Sequence, residues 1–248
     1  MKHITIFCLC FVLVWATPLQ KSPLKKVSVK DIDSRIINAT LFVSSHFVCS
    51  GSIISEEWIL TAAQCIDGVG IVTVLAGIID LNASGAVAQS SDLILHKDYD
   101  PEYFLNDIGL VQLRTPFTFT RYLAPIALAN YLLEDGLVVT VSGATVSDGD
   151  ESQFLNYADL VTIRNSECTA IYGNSILDSI VCAASGTVIL KNVCTGDGCA
   201  PLVFDVETDP VQVGIVSFIG GDTCESGYPS GFTRTASFRM WIQEKTGV

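Results

Sequence analysis

The stretch TGDGCAPL, Thr195 to Leu202, places a thiol, Cys199, two residues after a carboxylate, Asp197, in a glycine-bearing loop. A thiolate is a strong nucleophile, so attack on a carbonyl is the reaction such a loop could support. Two features oppose it. The charge of Asp197 disfavours the thiolate, and a nucleophile of this kind needs a base that takes its proton and returns it. Upstream, SGSIISEEWILTAAQC (50–65) offers Gln64, whose amide donates and accepts hydrogen bonds but does not titrate near neutral pH. NDIGLVQL (106–113) offers the carboxylate of Asp107. Gly198, directly before the thiol, has no side chain to react with.

The elements that must position these groups are short and β-rich. ATLFVSS, SGSIIS, GIVTVLAG, DIGLVQL, GLVVTVSG, ADLVTI, SIVCAA, PLVFDV, VQVGIVSF and SGFTRT are separated by turn clusters such as DGVG, LNASG, SDGDES and GGDTCESG. Many short strands at this spacing predict an all-β barrel or sandwich. One helix is expected at the end: in TASFRMWIQEK, Phe238, Trp241 and Ile242 fall at i, i+3 and i+4, and Thr235 is placed to cap it.

The chain opens on a basic residue and an apolar run, Ile4 to Trp15, followed by Ala16. The run is too short to span a bilayer and predicts a signal peptide over 1–16, hence secretion. Cys8 and Cys10 leave with it, and seven cysteines remain, which allows three bridges and one unpaired thiol in an oxidising compartment. Residues 17–35, Lys- and Pro-bearing, read as a removable propeptide. From Ile36 onward there are eight Lys and Arg against 24 Asp and Glu, a net of −16. That charge disfavours nucleic acid and anionic membranes as partners.

Together with RIIN (35–38), the motifs TAAQC, NDIGL, VCTGDGCAPLVF (193–204), GIVSF and CESGYPSGFTRT resemble the chymotrypsin-like (S1) serine proteases, most closely their arthropod digestive members, from Arg35 to the C-terminus. The resemblance implies two antiparallel six-stranded β-barrels with a C-terminal helix: a domain over 36–248, halves at about 36–125 and 126–235, and the helix at about 236–246. In that family a histidine, an aspartate and a serine form the catalytic set. The matching positions here hold Gln64, Asp107 and Gly198. His46 and His96 fall in segments that the family places near the edge of the first barrel, outside the base's slot.

The same resemblance implies bridges Cys49–Cys65, Cys168–Cys182 and Cys194–Cys224, which leaves Cys199 as the odd thiol, inert or joined to another molecule. Cleavage after Arg35 would free the Ile36 ammonium to bury itself against Asp197. The amides of Gly196 and Gly198 would form the oxyanion pocket. Asn192, Ser217, Ile219 and Ser230 would line the specificity pocket, with Ile219 narrowing its entrance and Asn192 removing a preference for Lys or Arg. Substrate-like peptides would pair with the Ser217–Ile219 strand. The sequons at Asn38 and Asn82 would accept glycans.

A glycine and an amide cannot together form an ester and shuttle a proton, so loss of peptide-bond hydrolysis is expected. The expected role is that of a secreted, monomeric protease homologue that binds protease inhibitors, peptides or active serine proteases, with neither cofactor nor metal. Residual thiol-dependent hydrolysis and a structural or storage glycoprotein are the alternatives.

Overall fold

The computed structural model describes residues 25–26, 38–43, 48–78, 84–120, 123–147, 150–185, 198–220 and 227–248. Two sheets carry the fold. After a two-residue strand β1 (Lys25–Lys26), the first sheet comprises β2 (Asn38–Phe42), β3 (Val48–Ile53), β4 (Trp58–Thr61), β5 (Val72–Ala76), β6 (Ala86–Ser90), β7 (Asp92–Leu95) and β8 (Gly109–Gln112). Its order is β6-β5-β2-β3-β4-β8-β7. Only Ser91 separates β6 from β7, so the two are one strand bent across both ends of the row, which closes six strands into a barrel. Ser90 holds the bend: its hydroxyl accepts from Asp92 N at 2.9 Å and donates to Gln112 O.

The second sheet comprises β9 (Ala127–Leu128), β10 (Val138–Ser147), β11 (Asp150–Ile163), β12 (Ile180–Ala184), β13 (Pro201–Phe204), β14 (Val211–Phe218) and β15 (Ser230–Arg234). The ring runs β11-β10-β13-β14-β15-β12 and returns to β11, again six strands, with β9 beside β14. β1 pairs antiparallel with β11, Lys25 opposite Tyr157 and Lys26 opposite Asn156. Part of the expected leader is therefore tied to the second barrel instead of trailing free of it.

Side-chain alternation explains the barrels. In β5, Val72, Val74 and Ala76 are buried while Thr73 and Leu75 are half-exposed, the period-2 pattern of a strand with one face in a core. One cluster, including Leu41, Ile53, Leu60 and Leu110, fills the first barrel; a second, including Val141, Leu160, Leu202 and Phe232, fills the other. Full burial of each such side chain contributes roughly 1.5–3 kcal/mol.

The C-terminal helix forms, with a different start. A 3₁₀ turn covers Thr235–Phe238 and α3 runs over Arg239–Thr246, with Phe238 as its N-cap residue and no side-chain cap. Thr235 is buried and its hydroxyl has no partner, so it does not cap this helix. Phe238 and Ile242 join the first barrel's core. His96 packs its ring against Phe238 and Trp241, at centroid distances of 5.3 and 5.2 Å, and so belongs to this packing. Two short helices went unread in the sequence, α1 (Ala63–Ile66) and α2 (Asn165–Tyr172).

Candidate functional site

The site lies where the two barrels meet. Hydrogen bonds across the seam fix it: Ser52 Oγ donates to Gln212 Oε1 at 2.6 Å, and Ile126 N donates to Ile53 O at 2.9 Å. Gln64 stands on α1, directly after β4. Asp107 stands on the loop that enters β8, where Asn106 adopts a left-handed φ of 52° and anchors itself by donating from Nδ2 to Asp98 O at 2.8 Å. Asn tolerates that conformation better than most residues. α1 can approach closely because Gly109 has no Cβ; one there would lie 2.8 Å from Ile66 Cδ1.

Three of the expected site residues form a closed triangle. Gln64 donates twice to Asp107, from its backbone N to Oδ1 at 2.9 Å and from Nε2 to Oδ2 at 2.6 Å. Nε2 also donates to Ser217 O at 2.7 Å, and Ser217 Oγ donates to Asp107 Oδ2 at 2.7 Å. From behind, Thr233 Oγ1 donates to Asp107 O at 2.8 Å. Asp107 is fully buried. Burial pushes its carboxyl above the usual carboxylate range, while the bonds from Ser217, Gln64 and Ala63 pull it down. The arrangement positions and satisfies a carboxylate, but Gln64 supplies no titratable group to it.

The loop beside the triangle has space where a nucleophile would stand. A Cβ on Gly198 would meet nothing within 4 Å among the described residues. Gly198 O accepts from Ser50 N at 3.2 Å, which ties the loop to β3. Cys199 follows at φ 70°, a left-handed conformation that favours glycine. Its side chain turns into the interior, 2 % exposed, with Sγ 3.7 Å from Cys49 Sγ. Burial pushes the thiol's pKa far up and the charge of Asp107 adds to it, so this sulfur is poorly suited to attack a carbonyl in the cleft.

Among the residues expected to line the specificity pocket, Ser217 and Ser230 are buried, and Ser230 Oγ accepts from Gly220 N at 3.4 Å. Ile219 packs against the second barrel's core. The carbonyl of Ser217, which would open the peptide-pairing strand, already accepts the Gln64 amide. Tyr172, which the sequence reading missed, donates from its hydroxyl to Pro229 O at 2.7 Å and closes behind Gly220, where a Cβ would lie 2.6 Å from that hydroxyl. It sits on α2, whose weak periodicity hid it.

Cys49–Cys65 and Cys168–Cys182 are bonded, and Cys199 is a free thiol. Arg35, Ile36, Asn82, Asn192, Cys194, Gly196, Asp197 and Cys224 lie outside the described residues, as does His46.

Asn38 is a correction. The sequon reads as a glycan acceptor, but Asn38 is buried in β2, its Nδ2 donating to Ser142 O at 2.5 Å and its Oδ1 accepting from Ser142 Oγ at 3.0 Å. A glycan on Nδ2 has no room in this packing. Asn38→Gln is accordingly expected to leave the glycan mass of the protein expressed in a glycosylating host unchanged by intact-mass measurement. The same variant loses the two bonds to Ser142, at about 1 kcal/mol each.

Comparison with known proteins agrees with this architecture. The chain matches the trypsin family over residues 28–242, a span that takes in residues 28–35 of the expected propeptide. It is 36% identical to brachyurin of Leptuca pugilator, over 83% of this chain and 91% of that protein. It is 35% identical to a collagenase of Hypoderma lineatum, over 81% of this chain and 76% of that one. A solved structure of HL collagenase superposes with a TM-score of 0.76 at 31% identity, covering 86% of this chain and 94% of that chain. Two six-stranded barrels, the C-terminal helix and a match over most of the sequence together make this chain a member of the trypsin-like S1 serine protease family.

Proposed function

We propose that this member of the family does not hydrolyse peptide bonds and acts by binding. The observation that carries the reading is the pairing of Gln64 with Gly198 at the positions of base and nucleophile. Gln64 is held by three hydrogen bonds in a slot where proton transfer needs an imidazole, and Gly198 presents empty space where a hydroxyl would stand. Removing either member of such a pair costs about a millionfold in turnover in a related mechanism. The thiol reading is disfavoured by the burial of Cys199 and by its raised pKa.

The bound partners that this surface fits are proteins that recognise the family's shape: protease inhibitors, or active serine proteases that the homologue competes with or regulates. The signal-like N-terminus supports secretion, and among the described residues no helix is long and apolar enough to cross a membrane. Purified protein incubated with a mixed peptide library is expected to release nothing above a blank. A panel of serine protease inhibitors tested by calorimetry is expected to yield at least one complex with a saturable isotherm. Turnover abolished by Cys199→Ala would overturn the reading, as would an absence of binding to every inhibitor and active protease tried.

A further inference from the structure

Outside the Gln64–Asp107–Ser217 triangle, the densest grouping of reactive side chains is sulfur. Cys49 on β3, Cys65 on α1 and Cys199 after Gly198 place their Sγ atoms all within 4.8 Å of one another, and all three residues are buried. Two are bonded and the third is a thiol. The backbones are already side by side, because Ser50 N donates to Gly198 O at 3.2 Å. Hydrogen-bonded neighbouring segments lie about 4.8 Å apart, and a disulfide spans Cα separations of roughly 4.4–6.8 Å. A bond from Cys49 to Cys199 therefore asks for side-chain rotation and little backbone movement.

We propose that Cys199 exchanges with the Cys49–Cys65 bond, giving the protein a second disulfide isomer in which Cys49 is joined to Cys199 and Cys65 is the free thiol. In this step Cys199 releases its proton to solvent. The electron pair on its sulfur forms the new bond to Cys49 Sγ as the Cys49–Cys65 bond breaks. The departing Cys65 thiolate then takes up a proton. One sulfur–sulfur bond forms for each one lost, so neither oxidant nor reductant is consumed. The three sulfurs form a triangle, not a row, so Cys199 must first rotate into line with the bond it attacks. Burial keeps its thiolate a minority species, so exchange is slow and proceeds through local opening.

The consequence falls on the candidate site. Cys65 is the neighbour of Gln64, and Cys199 is the neighbour of Gly198. Exchange moves a covalent tie from the helix that carries Gln64 to the loop that carries Gly198. In one isomer α1 is clamped to β3; in the other the loop is clamped and α1 is held by packing and by the hydrogen bonds of Gln64. The ligand-facing surface thus has two covalent states reached without any partner molecule.

The full secreted chain, incubated at mildly alkaline pH, is unfolded in denaturant with excess N-ethylmaleimide and digested without reduction. The expected result is label on Cys65 that grows with incubation as label on Cys199 falls by the same amount, together with peptides joined through Cys49–Cys199. In Cys65→Ser, Cys49 and Cys199 are expected to be bonded and neither labelled. Cys199→Ser serves as the control that fixes Cys49–Cys65. Label confined to Cys199 in the unmodified chain overturns the proposal, as does label on both Cys49 and Cys199 in Cys65→Ser. Should that variant not accumulate, the mapping of the unmodified chain decides. No peptidase measurement enters, so the outcome is independent of the binding function proposed above.

Discussion

The double variant Gln64→His, Gly198→Ser is expected to hydrolyse an activated ester at least about a thousandfold faster than the unmodified chain, with a burst of acyl-enzyme. Two parts of the frame it needs are described. Asp107 Oδ2 lies 2.6 Å from Gln64 Nε2, so an imidazole N–H at position 64 finds the carboxylate that orients it. A Cβ at 198 would meet nothing among the described residues within 4 Å, so a serine side chain finds room there. The two groups act as a unit, and each single variant is expected to stay within about tenfold of the blank. Restoration is expected to fall short of the full factor of about a million, since the positions expected to line the specificity pocket hold Asn192 and Ile219. Stopped-flow release of a chromophoric leaving group, with mass detection of the acyl-serine, measures the gain. If the unmodified chain already turns over at the restored rate, the reading of Gln64 and Gly198 is wrong.

How far the sequence led depended on the range of each interaction. Strands with one wet face, such as β5, announce themselves by alternation. The run WILT of β4 is buried on both faces and carries no such signal. α2 buries only Cys168 among its eight residues, so its amphipathic stripe was too faint to read. The motifs around Gln64, Asp107 and Gly198 were legible because each lies in a short contiguous pattern, and the structure bonds Gln64 to Asp107. What they could not give is the bond from Gln64 to Ser217 O, which joins residues 153 positions apart. Cys199 shows the same limit: counting cysteines left one thiol over, but only the fold sets it against Cys49. Asn38 carries a valid sequon, yet its side chain is buried against Ser142 of the second barrel, a contact no local pattern holds.

Asp107→Ala is expected to lower stability by about 3 kcal/mol in mild acid and by less at neutral pH. The loss has a clear origin: Gln64 N, Gln64 Nε2 and Ser217 Oγ all donate to this carboxylate, and each donor left buried without an acceptor costs about 1–3 kcal/mol. An opposing effect is the relief of removing a buried carboxylate that has no cation beside it among the described residues. Because the folded pKa is raised, the folded state holds the proton more tightly than the unfolded chain does. The stability tied to Asp107 is therefore fully present below the unfolded value of about 3.9 and is lost as pH rises through the folded one. For a domain of this size, 1 kcal/mol shifts Tm by roughly 2–4 °C, so melting curves at several pH values resolve the trend. A loss that grows toward neutral pH would mean that the donors outweigh burial. Gln64→His provides the internal contrast. An imidazolium beside Asp107 favours the charged carboxylate, so in that background the part of the pH dependence due to Asp107 should change sign. The buried aspartate is thus the element whose energetics most directly register which side chain stands at position 64.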